Sequence, residues 1–443
     1  MTDRTLNETP PVTNRRTFLK HAGLLAAALP LGSFAIGQAR AAATPATSPQ
    51  QWAQLRQLFD LDPDYVHLAN FLITSHPRPV REAIEQYRAV LDRNPAMAMD
   101  YDTQYTWKHE AQVRESVGRY LQIKPAQVAL TGSTTEGLAM MYGGIHVRPG
   151  QEILTTVHEH YSTRNALKYR TQRDGTQVRT IELFKSPHQV SIDEVLGNID
   201  RSIRPNTRVL GMTWVQSGSS VKLPIGEIGK LVDQHNRNRD EGERILYCVD
   251  GVHGLGVEDV TFADLNCDFF VAGTHKWMFG PRGTGIFCSR STKLEHLTPM
   301  VATFSENQDF ATTMTPGGYH SFEHRWAVDQ AFELHMQLGK ANVQARIHQL
   351  NSYLKQRLQE LPGIELVTPL SPQLSAGFTF FRGPNLDTDA TAAWLIENRV
   401  LVDAVDRDAG PVVRMAPGLL NSEADIDRAM DLLGKRLRGG KTA

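Results

Sequence analysis

Lys276 is the residue of this sequence best placed for covalent chemistry. It follows the apolar run Phe269-Phe270-Val271-Ala272 within Gly273-Thr274-His275-Lys276-Trp277, and a stretch crowded with glycine, Met278 to Gly285, comes after it. A strand without polar alternation is buried on both faces, and open α/β sheets place their ligands at the C-terminal ends of such strands. Desolvation there lowers an amine's pKa, as Schiff-base chemistry requires. An isolated lysine at a strand end more often only lays its stem along the surface, so its company decides. A second apolar run, Ile245-Leu246-Tyr247-Cys248-Val249, ends in Asp250-Gly251-Val252-His253, which puts an acid 26 residues before the lysine. An acid at a buried strand end is costly without a cationic partner. A protonated pyridine nitrogen is such a partner, and keeping it protonated makes the ring an electron sink. Further upstream, Thr131-Gly132-Ser133-Thr134-Thr135-Glu136-Gly137 joins a strand to a helix. Glycine and small hydroxyl residues at a helix N-terminus form a phosphate cradle. Each signal is weak alone; in this order and spacing the three are strong together.

The elements that must position these groups alternate short apolar runs with amphipathic stretches. Helices are expected over 80–94, with Val80, Ile84, Tyr87 and Leu91 on one face, and over 110–121, 134–145 and 225–238. Strands are expected over 128–130, 152–157, 178–183, 208–214, 245–249, 269–272 and 285–288. Such strands separated by helices imply a mostly parallel sheet covered on both faces. One long helical pattern over 328–361 bridges to a smaller C-terminal part. There 376–381 and 412–415 read as antiparallel strands, and 387–398 and 423–437 as helices.

The runs Gly132-Ser133-Thr134-Thr135-Glu136, Glu159-His160-Tyr161-Ser162, Asp250-Gly251-Val252-His253 and Thr274-His275-Lys276-Trp277 resemble the class V branch of aminotransferase-fold pyridoxal-phosphate (PLP) enzymes. The Asp-x-x-His and His-Lys-Trp variants look most like its isopenicillin N epimerase-like subgroup, and the resemblance spans about Tyr65 to the end. It implies the α/β type I fold of PLP-dependent transferases, which is aspartate aminotransferase-like. A large, mostly parallel seven-stranded PLP-binding domain would occupy 65–330, and a small α+β C-terminal domain 331–443. It further implies a homodimer with active sites at the interface. The cofactor pyridoxal 5'-phosphate would sit on Lys276, with Asp250 on its pyridine nitrogen, His253 at its 3-oxygen and His160 stacked on its ring. Ser133, Thr134, Thr274 and His275 would hold its phosphate. Either Gln216 or Ser217 would contact the ring substituents. Arg414, in Val412-Val413-Arg414-Met415, matches the arginine that takes a substrate carboxylate bidentately, and its apolar neighbours favour an inward role. Thr315 and His320, in Thr315-Pro316-Gly317-Gly318-Tyr319-His320, lie where the family reaches across the dimer, Thr315 toward cofactor and His320 toward substrate. Asn70 and His76 would line the substrate entrance. No metal is called for.

Ahead of this unit, Asn14-Arg15-Arg16-Thr17-Phe18-Leu19-Lys20 precedes an apolar run from Ala22 to Ile36 that Gly23, Pro30 and Gly32 interrupt, and Ala39-Arg40-Ala41 follows. A membrane span needs ~20 apolar residues, so no stable membrane anchor is expected. A basic segment, an apolar core and a small-x-small site make an export signal over 1–41. Its paired arginines resemble the twin-arginine class, whose export machinery would carry the folded chain to the periplasm; 42–64 read as a leader and N-terminal segment. The 443 residues have a formal charge of −1, and the first 41 hold five basic residues against two acidic. Removing them takes the charge to −4, against a nucleic-acid partner, which needs a Lys/Arg surplus. Three cysteines are too few for a disulfide framework, and in expected strands they need none. Cysteine desulfurase chemistry needs a nucleophilic cysteine on a mobile loop, and Cys288, in an expected strand, is the only one after Lys276. Transamination, epimerisation, β-elimination and decarboxylation all stay open. Outside the cytoplasm amino donors and keto acids are scarce, which favours a small peptide or amino-acid substrate altered after export. The leader joined to these motifs resembles exported class V enzymes of siderophore maturation, which implies the glutamyl side group of a pyoverdine-type siderophore. An amino-acid epimerase or β-lyase is the alternative. A non-catalytic PLP-binding protein is disfavoured because Lys276, Asp250 and Arg414 are all retained.

Overall fold

Seven strands build the central sheet: β1 Val128–Thr131, β2 Glu152–Thr156, β3 Gln177–Ile181, β4 Thr207–Thr213, β5 Leu246–Asp250, β6 Phe269–Gly273 and β7 Gly285–Ser289. The computed structural model describes residues 48–98, 105–303 and 309–439, so the expected export signal lies outside the described residues. The sheet order is β1-β7-β6-β5-β4-β2-β3. β7 runs antiparallel to both β1 and β6, and every other pairing is parallel. That single reversal returns β1 to the direction of the parallel set. The C-terminal ends of β1, β2, β4, β5 and β6 therefore share one edge.

The apolar runs are strands because their side chains alternate between two cores. Leu130, Tyr247, Val249, Phe270, Ala272 and Ile286 pack on one face. Ala129, Leu246, Cys248, Phe269, Val271 and Phe287 pack on the other. Only the edge strand β3 is partly exposed along its length. All three cysteines are free and buried, and Cys267 sits in the turn before β6, not in a strand as expected.

The helical pattern expected over 328–361 is two helices, Val328–Leu338 and Lys340–Gln359. Gly339 separates them at φ 80°, a left-handed backbone that no α-helix continues through. The second helix packs with Thr388–Glu397 and Glu423–Gly439 beside a four-stranded antiparallel sheet. Its strands are β8 Glu365–Leu366, β9 Thr379–Arg382, β10 Asp403–Arg407 and β11 Gly410–Met415, in the order β10-β11-β9-β8. Val66–His67 pairs with Val400–Leu401, and Val66 and Leu68 pack into this smaller core with Leu354, Phe381 and Leu433. The segment ahead of the large sheet is thus shared, with Trp52, Leu55 and Phe59 in the large core and Val66 and Leu68 in the smaller one.

Gly251, directly after β5, shows how tightly the site edge is packed. A Cβ there would lie inside the van der Waals envelope of the Phe270 ring. Gly251→Ala is expected to cost about 1–3 kcal/mol of stability through overpacking. Urea unfolding reads this directly, and an unchanged midpoint would mean that Phe270 has room to move.

Candidate active site

Asp250 is the last residue of β5, and Lys276 stands three residues past the end of the adjacent strand β6. Asp250 is buried and accepts a hydrogen bond from the Val252 N–H at 3.1 Å. Burial pushes its carboxyl up to about 6, against the pull of that N–H and of the Lys276 charge. Desolvation brings the Lys276 amine down to about 8, with Asp250 opposing and Arg414 and Arg407 adding to the fall. Its neutral, nucleophilic form is therefore reached close to neutral pH. Lys276 Nζ lies 3.3 Å from Nε2 of His253, a buried imidazole that burial and the charges of Lys276 and Arg414 keep neutral. The Trp277 indole N–H can only donate, and it reaches His253 Nδ1 at 3.4 Å. That assigns the His253 proton to Nε2, facing the lysine.

His160 caps the helix Tyr161–Asp174, its Nδ1 accepting from the Ser162 N–H at 3.2 Å. Burial first, then the Arg407 and Lys276 charges, push its pKa down to about 3, so the ring is neutral. Gln216 is fully buried beyond the end of β4; its Oε1 accepts from Ser219 at 2.8 Å while its Nε2 has no partner. Ser217 is engaged differently, its carbonyl accepting from Arg414 at 2.9 Å and its hydroxyl from Arg407 at 2.7 Å. Gln216 thus keeps an amide donor and Ser217 the proton of its hydroxyl, so each retains a donor.

Ser133 caps the helix Thr134–Gly144 by accepting from the Glu136 N–H at 3.1 Å. Thr134 Oγ1 accepts from the Gly273 N–H at 2.8 Å, which ties this helix start to the end of β6. Both hydroxyl protons remain available to an anion, and His275 Nδ1 nearby is unpartnered. Thr274 is a correction: fully buried, its hydroxyl engages the carbonyl and hydroxyl of Thr284 and braces the glycine loop from within. These residues fit the cofactor that the resemblance implies. The site holds a buried carboxyl without a full cationic partner, the orphaned amide donor of Gln216, an unpartnered ring nitrogen of His275 and free hydroxyls at a helix N-terminus, and a buried N–H left unpaired is costly.

Arg414 is buried on β11, over the Phe71 ring at 4.6 Å, with Nε donating to Asp403 at 2.8 Å. The remaining expected residues stand apart. Asn70 does not line an entrance: its Nδ2 donates to His67 O, Ala416 O and Asn421 Oδ1, bracing the C-terminal strand. His76 is buried beside Arg282, His324 and Arg81, and burial takes its pKa down to about 4. Thr315 spends its hydroxyl on Ala311 O, the Leu130 N–H and Arg114. His320 donates to Gly318 O and packs on Phe322. Among the described residues no hydrogen bond, ion pair or ring contact joins Thr315 or His320 to Lys276, Asp250, His253 or His160.

Two residues the sequence reading passed over belong here. Glu159 is buried next to His160 and bonds Thr156 Oγ1 at 2.8 Å and the Thr213 N–H at 3.2 Å, joining the ends of β2 and β4. Burial pushes its carboxyl up to about 7. Arg407, at the end of β10, carries its charge to His160 and Lys276. Nothing in the local pattern around Arg407 signals this. A cavity of about 640 Å³ opens at the opposite edge of the sheet, lined by Arg148, Arg208, Glu241 and His296 among others. Its charges are already matched, His296 by Glu241 and Arg208 by backbone carbonyls, so chemistry is placed at the lysine and not there.

The family model for class-V aminotransferases matches residues 73–427. The isopenicillin N epimerase of Streptomyces clavuligerus is 26% identical over 400 residues, covering 86% of this chain and 97% of that one. That of Amycolatopsis lactamdurans is 27% identical over 401 residues, covering 86% and 98%. A probable cysteine desulfurase of Treponema pallidum is 25% identical over 361 residues, covering 78% and 85%. Among solved structures, C-DES with glycine covalently linked to its PLP cofactor has a TM-score of 0.77 at 20% identity, covering 86% of this chain and 98% of its own. The apo cysteine desulfurase of Thermococcus onnurineus scores 0.74 at 19% identity, covering 87% and 98%. These likenesses identify the architecture as the type I fold of PLP-dependent transferases. With the family model spanning the seven-stranded and the four-stranded sheet, the chain belongs to the class-V aminotransferases, a family of PLP-dependent enzymes.

Proposed function

We propose that this chain is a PLP enzyme that moves a proton at the α-carbon of an amino-acid group. The carrying observation is the amine of Lys276, desolvated between the end of β6 and His253 with the buried Asp250 beside it. Bound there, PLP supplies the electron sink for a carbanion. Asp250 would hold the ring nitrogen protonated, and the Nε2–H of His253 and the free Nε2 of Gln216 are donors available to the ring's single oxygen substituent. Ser133 and Thr134 present hydroxyls to a phosphate at a helix N-terminus, and Arg414 offers its fork to a carboxylate. Lys276, with its pKa lowered to about 8, accepts and returns a proton near neutral pH. Desulfurase chemistry does not fit, because a nucleophilic thiol is missing: Cys248, Cys267 and Cys288 are all buried, and burial pushes each thiol far up.

For the substrate, the leader and the motifs together support an amino-acid group of a small peptide met in the periplasm, specifically the glutamyl side group of a pyoverdine-type siderophore, acted on by a homodimer. Mass spectrometry of siderophore secreted with and without the protein tests this. The unmodified side group is expected in its absence, and identical products would reject the siderophore. The likeness to the isopenicillin N epimerases favours a second reading, epimerisation or β-elimination of an amino acid. Exchange of the α-proton for solvent deuterium with racemisation and no loss of the amino group would select epimerisation, and release of the β-substituent together with ammonia and a keto acid would select β-elimination.

A further inference from the structure

Arg407 is an arginine in the site without an acid of its own. Its guanidinium lies over the Tyr161 ring at 5.5 Å, and Nη1 donates to Ser217 Oγ at 2.7 Å. Arg414 holds the carbonyl of the same Ser217, so the two forks converge on one residue. The acids around Arg407 are engaged elsewhere: Asp403 pairs with Arg414, and Asp408 with His158 at 2.7 Å. Asp406 precedes it on the strand and points to the other face. Among the described residues none forms an ion pair with Arg407. Its charge is the largest acting on His160 and also reaches Lys276, His253 and Arg414.

The position is held deliberately in place. His158 Nε2 accepts from the Leu183 N–H at 3.3 Å, which leaves the proton on Nδ1 to donate to Asp408. The His158 ring stacks on Phe184 with centroids 4.2 Å apart. On the other side Gly218 has no side chain, and a Cβ there would collide with the Asp408 carboxylate. The turn between β10 and β11 is thereby docked onto the large sheet, and Arg407 stands one residue before that anchor. Lys276, Arg414 and Arg407 bring three positive charges together, with Asp250 and Asp403 the acids facing them, so the site lacks negative charge on the Arg407 side.

We propose that Arg407 forms a second carboxylate subsite, apart from Arg414, that reads an acidic group on the substrate beyond its reacting amino-acid carbon. The proposal rests on the PLP reading above. It makes the enzyme selective for amino-acid groups bearing a second carboxylate, either on the side chain itself or farther out on an attached residue.

The test uses PLP-loaded protein and reads the change in its visible spectrum as amino compounds bind. One pair is L-glutamate and L-glutamine; the other is γ-L-glutamylglycine and its amide, which carries the distinction one residue outward. Wild type is expected to bind the acidic member of one pair roughly ten- to hundredfold more tightly, the scale of a charge-assisted bidentate contact. The pair that shows the preference identifies the source of the carboxylate. Arg407→Gln is expected to bring the ratio of acidic-member to neutral-member binding to about one, whatever common change the lost charge makes to both members. Equal weakening of both members would assign Arg407 to the Arg414 carboxylate and overturn the proposal, as would the absence of any preference in wild type. If Arg407→Gln fails to load PLP, Arg407→Lys is read in the same way: a reduced preference supports the subsite and an unchanged one overturns it. A wild-type protein with no visible band would sink the PLP reading instead, which keeps the two failures distinct.

Discussion

Lys276→Ala is expected to abolish the visible absorption band of the PLP-loaded protein and to lower turnover by at least about 10³-fold. Loss of a positioned acid–base group alone accounts for roughly 10²–10⁴-fold, and the covalent attachment goes with it. Lys276→Arg separates charge from chemistry. It keeps a cation near Asp250 but cannot be deprotonated, so it should fold and remain colourless. A band unchanged in Lys276→Ala would remove the lysine from the proposed role. The cofactor-free protein carries its own signature of the desolvated amine. Folded, Lys276 releases its proton near pH 8, and unfolded near 10.5. Between those values the unfolded chain binds more protons, so the amine's burial penalty, fully present below pH 8, fades as pH rises through the window. Stability measured against pH should carry this rising contribution in wild type and lack it in Lys276→Ala.

The parts of the site legible in the sequence are those built from strand ends and the residues just beyond them. Asp250 and Lys276 each follow an uninterrupted apolar run, and Ser133 and Thr134 sit at a strand-to-helix turn, so local pattern alone places each of them at or just past the C-terminal end of a strand. What local pattern lacks is knowledge of hydrogen bonds already made. Asn70 and Thr274 have suitable residue types, yet their polar atoms are spent on Ala416, Asn421 and Thr284. Arg407 fails in the opposite direction. Its neighbours in sequence are ordinary, and its meaning comes from His158, 250 residues from Asp408, which fixes where the turn docks. Strand direction was also beyond reach, since the apolar run of β7 does not differ in kind from its parallel neighbours. That reversal matters to the site, because it brings the β1 phosphate cradle to the same edge as Lys276.

Asp250→Asn should separate the needs of the empty chain from those of the loaded enzyme. Without a cofactor, Asp250 is a buried carboxyl whose pKa is pushed from 3.8 up to about 6, and nearby Glu159 is pushed from 4.5 to about 7. In each window the folded chain holds the proton that the unfolded chain has released. Their contribution is therefore most favourable below the unfolded values and is lost as pH rises through the folded ones. Asparagine removes the Asp250 share, so the cofactor-free variant should lose less stability than wild type between about pH 4 and 6 and be at least as stable at pH 7. The loaded enzyme should respond in the opposite sense. A protonated ring nitrogen is the cation that Asp250 lacks, and a neutral amide cannot hold that proton in place. Turnover should then fall by about 10²-fold or more, a loss on the scale of a buried charge-assisted hydrogen bond together with the electron sink it sustains. Unchanged turnover in Asp250→Asn would remove the carboxylate from the proposed role. A cofactor-free variant markedly less stable than wild type at pH 7 would mean that Asp250 supports the fold itself, and that its burial at the end of β5 is not a cost carried for the cofactor.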